Sequence, residues 1–479
     1  MAGAAAIGLA LRSGSRLPTP APGAPSPSPS SEPAAHDPLA DEARAAIPDD
    51  VPRTGVVHEV TLEAKPVEIP LLEGRPLAVW AYNGQVPGPT LRVRVGDTLR
   101  VTLENRLPQP TTIHWHGVRV PNAMDGTPGV TQSAVEPGGR FVYEFVARDA
   151  GTFWYHPHVR ASEQVERGLY GVLVVEEATP PRYSREIVWV LDDWRLTPSG
   201  RVDPAFNTGH DLAHDGRWGQ VVTINGIVTP TLSLSPGERV RLRILDSANG
   251  RVFAPDFGEL FARVIAVDGR DVAAPFDARG FELAPGNRLD VELEAPAGAH
   301  GRRFEIVDRY TGQPVALASV VVDARAVASA PASSLPPHVV PAWRDALSRP
   351  ATSELRLNAE RGGPLGIAWT INGRAGSHDH HDGGSGDLAF TLARDRFARL
   401  RFVNDSFRIH PMHLHGVFFK VLARNDRPVD EGFMRDTVLV HAKETIDIGV
   451  VPRDDGRWMM HCHILEHAEA GMMTLFEVR

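Results

Sequence analysis

The segment TLRVRVGDTLRVTLENRLPQPTTIHWHG (90–117) alternates apolar and polar residues in two runs broken by Gly-Asp. That is the period-two signature of half-buried strands joined by a turn. The pattern returns as TLSLSPGERVRLRILDSANGRVFAPDFG (231–258) and as FTLARDRFARLRFVNDSFRIHPMHLHG (390–416). An Asn-Gly dipeptide precedes each copy, at Asn83-Gly84, Asn225-Gly226 and Asn372-Gly373; both residues tolerate positive φ, so each marks a tight turn. A second block aligns without a gap between RDAGTFWYHPH (148–158) and RDDGRWMMHCH (453–463), whereas the middle copy has APAGAHGRRFEIVDR (295–309) and no histidine pair. These repeats predict three all-β domains, sandwiches or barrels, over 52–178, 183–325 and 350–479. The middle one, lacking the histidines, is expected to space or bracket the other two.

Composition fits this reading. Gly 44 and Pro 41 suit short strands with many turns. Pro/Ser/Ala-rich chain predicts a disordered tail over 1–51, and VASAPASSLPPHVVP (327–341) predicts a linker over 326–349. The opening MAGAAAIGLALRSGS has the apolar length of a signal-peptide core without a basic segment before it; it reads either as a remnant export signal or as plain tail. The net charge of −9 lacks the basic footprint of nucleic-acid binding. No apolar run approaches the ~20 residues of a membrane span. A single cysteine excludes an intrachain disulfide.

Four His-x-His pairs stand at equivalent places in the first and third copies: His114/His116, His156/His158, His413/His415 and His461/His463. Residues two apart on a strand share a face, so each pair offers two imidazoles to one side. Chance yields about one such pair among 20 His in 479 residues, so four at equivalent places form a metal-binding pattern. Imidazole suits Zn, Cu, Fe and Ni, and Cys462 narrows the choice. It sits between His461 and His463, so its thiolate faces the opposite way. His467 lies five residues on, Met472 ten on, and His410 precedes the third pair at odd spacing. Two histidines, a thiolate and a weak thioether are the blue-copper electron-transfer set. The eight paired histidines remain for a separate cluster, too many for one tetrahedral zinc. Electrons arriving at Cys462 have a short bonded route to that cluster, which can collect the several electrons that reducing dioxygen to water consumes.

With HWHG, HPH, HPMHLHG and HCHILEH followed by GMM, the chain resembles the multicopper oxidases over 52–479. This is the family of laccases, bilirubin oxidases and bacterial cuprous oxidases. The resemblance implies three cupredoxin-like Greek-key β-sandwiches holding four copper ions. By it, His114 and His413 bind the type 2 copper, and His116, His156, His158, His415, His461 and His463 bind the type 3 pair. His410, Cys462, His467 and, axially, Met472 bind the type 1 copper. Asp125 in NAMDGTPG matches a proton-relaying acid, and Asp436 in MRDTV matches an acid that lines the type 1 approach in cuprous oxidases. Many bacterial relatives carry a glutamate just past His467 where this chain has Ala468, so either Glu469 or a water path takes over that relay, or the oxygen step is slower. Glu466 is expected to orient a ligand or cap the loop.

The implied activity is laccase-like: one-electron oxidation of phenols or similar small aromatic donors, coupled to four-electron reduction of dioxygen. Two alternatives stay open. One is a cuprous oxidase in copper tolerance, taking Cu(I); yet the chain has only 8 Met and, where relatives differ, the loop INGRAGSHDHHDGGSG with His378, His380 and His381. The other is a non-catalytic copper-binding envelope protein. A periplasmic or extracellular monomer is expected. His36, His58, His210, His214, His300, His338 and His441 read as isolated, mostly surface residues.

Overall fold

The computed structural model describes residues 36–71, 75–181, 183–296, 298–323, 339–377 and 388–479. Strand Val57–Leu71 pairs antiparallel with Arg75–Tyr82 and parallel with Thr98–Asn105, and Arg140–Val146 completes the sheet. A second sheet runs in the order Leu91–Arg94, Gly171–Glu176, Gly151–His156, His114–His116, its first pair also parallel. Alternate residues of Thr98–Asn105 are buried, as its sequence period requires. The same two parallel ladders recur downstream. Glu186–Trp194 pairs with Arg239–Asp246 and Thr231–Leu234 with Val315–Val322. Ser353–Arg361 pairs with Ala398–Asn404 and Leu388–Leu392 with Met473–Val478. The fold is three cupredoxin-like β-sandwiches of one topology.

The three Asn-Gly dipeptides adopt one geometry. Asn83, Asn225 and Asn372 have φ of 53°, 53° and 55°, and the glycines after them 75°, 75° and 72°. Each closes a two-residue hairpin, bridging Tyr82 to Gln85, Ile224 to Ile227 and Ile371 to Arg374. Positive φ at both positions is the turn whose twist matches that of the flanking strands.

The structure departs from the expected tail over 1–51 near its end. Pro38–Ala46 is a helix with proline at its first position and Leu39, Ala40, Ala43 and Ala46 buried. The apolar residues follow a helical period that the Pro/Ala-rich composition hides. The helix packs into the first domain's core and against the end of the second linker. There Trp343 Nε1 donates to Leu39 O at 2.8 Å and Trp343 N to Glu42 Oε2 at 2.8 Å. Asp37 accepts from Phe397 N at 3.0 Å, and Asp49 pairs with Arg119 at 2.9 Å and with Arg453. The segment therefore clasps the first domain to the third. Residues 326–338 of the expected linker lie outside the described residues, whereas Trp343 near its end is buried. Replacing Trp343 by alanine is expected to cost about 3–5 kcal/mol, the usual loss for a buried tryptophan; a lowered thermal-unfolding midpoint measures it, and an unchanged one contradicts the clasp.

Candidate metal centre

The eight paired histidines meet where the first sandwich abuts the third. Strand His114–His116 lies beside Gly151–His156 with His114 opposite His156. In the third sandwich His410–Leu414 lies beside Gly456–Cys462, with His413 opposite His461 and Met412 opposite Cys462. The two halves interleave: the His116 and His413 rings stack at 3.7 Å and those of His114 and His415 at 3.8 Å. His158 faces His461 at 4.9 Å, and His156 faces His463 at 5.4 Å. All eight side chains are buried.

In six of these rings one nitrogen is tied down. His114, His156, His413 and His461 donate from Nδ1 to the carbonyls of Asp125, Pro157, Asp436 and Cys462 at 2.8–3.0 Å. His415 Nδ1 donates to Asp125 Oδ2 at 2.8 Å, and His116 Nε2 to Asp436 Oδ1 at 3.0 Å. A carbonyl or carboxylate only accepts, so these contacts fix the tautomer and leave the opposite nitrogen with its lone pair. Those opposite nitrogens, and both nitrogens of His158 and His463, are buried without a hydrogen-bond partner. Burial pushes His116, His156, His158, His461 and His463 well below the ordinary imidazole range and His415 down to about 3. Burial thus favours the neutral form of these six rings, the form that binds metal. Among the described residues, three all-histidine sets bring their donor atoms within 4.8 Å of one another, His114/His116/His156, His114/His413/His415 and His158/His415/His461, and His116/His413/Asp436 does so too.

Asp125 is buried beside this cage; it accepts from Thr127 Oγ1 at 2.6 Å and reaches His114 Nδ1 at 3.3 Å from its other oxygen. Burial would raise its carboxyl, but the His415 and His114 rings hold it well below the usual carboxylate range. Asp436 is not on the type 1 approach where the resemblance put it. It is buried on the cage side, under His116 and His413, because its strand Thr437–Val440 pairs with the one that carries His413.

The middle sandwich does more than space the other two. Its fully buried Arg288 donates to both Asp436 oxygens, at 2.9 and 2.6 Å, and to Thr152 O at 3.0 Å. Its Asp268 accepts from the backbone N–H groups of Asp436 and Thr437, both at 3.2 Å. Gly286 at φ +90° lies against the rings: a Cβ there would come 3.0 Å from His116 Cε1 and His463 Cδ2. Arg288, Asp268 and Gly286 were not identified from the sequence. Strand Arg288–Glu294 is buried on both faces while carrying charges at alternate positions, a signal of burial against another domain but not of which one.

A second donor set occupies the other face of strand Gly456–Cys462. Cys462 Sγ lies 3.7 Å from both His410 Nδ1 and His467 Nδ1, which are 3.2 Å apart. His410 Nε2 pairs with Ser406 Oγ at 2.8 Å and His467 Nε2 donates to His214 O at 2.5 Å, so both rings present Nδ1 to the sulfur. Burial pushes the Cys462 thiol up, and a metal cation is what would draw the thiolate out there. Met472 is buried, and its carbonyl accepts from Cys462 N at 2.9 Å. Glu466 binds Asn249 Nδ2 at 2.7 Å and Arg217 N at 3.1 Å, tying the short helix Leu465–Glu469 to the middle sandwich.

Glu469 ends that helix and lines a cleft of about 1240 Å³ with Gly129, Val130, Thr131, Gln132 and Ala470. Ala468 is buried in an apolar cluster with Met459, Met473 and Leu475. His378, His380 and His381 lie outside the described residues.

The multicopper oxidase family matches residues 63–180, 185–322 and 348–479. The chain belongs to the multicopper oxidase family. It is 31% identical to the multicopper oxidase MmcO of Mycobacterium tuberculosis, over 88% of this chain and 87% of that one. A copper resistance protein A homolog of Pseudomonas syringae pv. tomato is 25% identical over 89% and 92%. The crystal structure of a multi-copper oxidase from Pseudomonas thermotolerans matches with a TM-score of 0.79 and 34% identity, covering 89% of this chain and 100% of that one. Like its family, this multicopper oxidase is a copper-dependent oxidoreductase that uses oxygen. The neutral, unpartnered imidazoles and the buried thiol fit that metal.

Breaking the three-domain contact gives a direct test. Arg288→Met leaves the buried Asp436 without its cationic partner, which costs about 3–5 kcal/mol. It is expected to lower copper held by the eight-histidine cage while the blue colour of the Cys462 site persists. Metal analysis with a visible spectrum reads both; equal loss from the two sites contradicts the assignment.

Proposed function

We propose that the protein is a laccase-like oxidase that takes electrons singly from phenols or similar small donors. His410, Cys462, His467 and Met472 hold one type 1 copper. His114 and His413 hold one type 2 copper, and His116, His156, His158, His415, His461 and His463 hold two type 3 coppers. Copper in these places supplies one-electron oxidation on the Cys462 side and four-electron reduction of dioxygen to water on the other. The carrying observation is the pair of donor sets on opposite faces of one strand, joined by the peptide His461-Cys462-His463. A thiolate ligand of one site is thus covalently next to ligands of the other.

The protein's part is to hold the rings and to move protons. Asp125 anchors His415 by its side chain and His114 by its carbonyl, so it can pass protons toward the cage without leaving its contacts. Glu469 stands on the wall of the cleft that borders the 128–132 loop and is assigned as the acid that brings protons in from solvent. No helix among the described residues is long and apolar enough to cross a membrane. A monomer working in the periplasm or outside the cell fits the handling of copper by this family.

A second reading, oxidation of Cu(I), is favoured by one observation. His410 and His467 are fully buried, and the carbonyl of His214 from the middle sandwich covers the His467 Nε2 edge. A flat aromatic donor therefore cannot stack on the ligand ring, whereas a small ion needs no ring face to stack on. Oxygen uptake with a phenol and with Cu(I), compared at equal concentration, separates the readings. Cys462→Ser is expected to abolish the blue band and oxidation of either donor while leaving most of the cage copper; a variant that keeps its blue colour sinks the ligand assignment.

A further inference from the structure

His467 rides on a helix that cannot hold itself in place. Leu465–Glu469 is five residues long and has no side-chain cap at its N-terminus. Helices so short draw their stability from tertiary contacts rather than from their own turns. Those contacts come from the middle sandwich. Leu465 N donates to Asn249 O at 3.1 Å, which satisfies one of the N–H groups that a first turn leaves unpaired. Asn249 Nδ2 donates to Glu466 Oε1 at 2.7 Å and Arg217 N to Glu466 Oε2 at 3.1 Å. A Cβ at Gly216 would stand 2.8 Å from Glu466 Oε2, so the backbone there packs directly on the carboxylate.

Asn249 reaches a second short helix as well. Its Nδ2 also donates to Ser162 O at 2.8 Å, in the helix Ala161–Glu166 that follows His158 of the cage. An amide NH2 carries two hydrogens, and both are used here. Asn249 is buried, so bulk water does not compete for either bond. At its other end the braced helix bears on the sulfur. Ile464, which precedes Leu465, donates from its backbone N to Cys462 Sγ at 3.4 Å. The place of this helix therefore sets two things at once, the His467 ring and the N–H aimed at the sulfur. Hydrogen bonding around the sulfur is one of the features that tune the potential of a His2Cys copper site.

We propose that Asn249, from the sandwich that contributes no residue to either donor set, is a positioning residue for the type 1 copper. The proposal rests on the assignment of His410, Cys462, His467 and Met472 to that copper. Its amide braces the His467 helix against the first sandwich, and the braced helix keeps the Ile464 N–H on the sulfur. That N–H draws electron density from the sulfur, weakens its donation to oxidised copper and so raises the potential. Without the brace the helix shifts, the N–H···S bond lengthens, and the potential falls. The range of donors narrows with it, since only electron-rich phenols still give up an electron to a site of lower potential.

The test is Asn249→Leu in the copper-loaded protein, a side chain of similar size without the amide. Asn249→Ser, which keeps one donor on a shorter stem, is read beside it. Redox titration of the blue band is expected to show a lower type 1 potential in both variants, with the smaller drop in Asn249→Ser, and the band itself is expected to shift. The concentration of a copper chelator that bleaches half the blue colour is expected to fall about tenfold in Asn249→Leu, the lower end of what losing an outer partner costs a metal site. Metal analysis is expected to find the cage copper unchanged. A lowered unfolding midpoint with the band and potential of the wild type makes Asn249 merely structural and overturns the proposal. If Asn249→Leu does not fold, an unshifted band and potential in Asn249→Ser overturn it equally. A wild type without a blue band removes the type 1 assignment itself, and the proposal with it.

Discussion

The structure turns on buried imidazole nitrogens that nothing in the protein satisfies. A buried polar atom without a partner costs about 1–3 kcal/mol, and the cage contains several such atoms within a few ångströms. Without metal, that burden is comparable with the net stability of a whole domain, about 5–15 kcal/mol. Copper is therefore part of what makes the junction between the first and third sandwiches favourable. Six of these rings, pinned on their far side by carbonyls and carboxylates, cannot turn to find other partners. Pinning converts a cost of folding into readiness to bind.

That pinning is distributed over all three sandwiches. Asp125 reaches from the first to His415 of the third. Asp436 of the third reaches His116 of the first, and Arg288 of the middle sandwich grips Asp436. Glu466, beside His467, is held by Asn249 and Arg217 of the middle sandwich. The middle sandwich, which contributes no residue to either donor set, therefore helps to fix the geometry of both. The helix Pro38–Ala46 adds a fourth tie, from the chain's N-terminal side to the start of the third sandwich.

Much of this was legible in the sequence, for a local reason. Period-two alternation, Asn-Gly turns and His-x-His spacing are all short-range, and strand geometry converts them directly into faces. The opposite orientation of Cys462 and its two neighbours followed from parity alone. What was not legible depended on which domains touch. Asp436 was read onto the wrong side because its partners His116 and Arg288 lie 320 and 148 residues away. The clasp was hidden by a composition that suits a tail equally well. Ala468 is buried among Met459, Met473 and Leu475, apolar packing that no spacing rule reveals.

Copper content and spectrum of the purified wild type test the central claim most directly. The account predicts four coppers per chain, one of them giving the intense blue thiolate band and the other three residing in the histidine cage. A folded, colourless protein carrying zinc, or a single copper with the cage histidines empty, would contradict it.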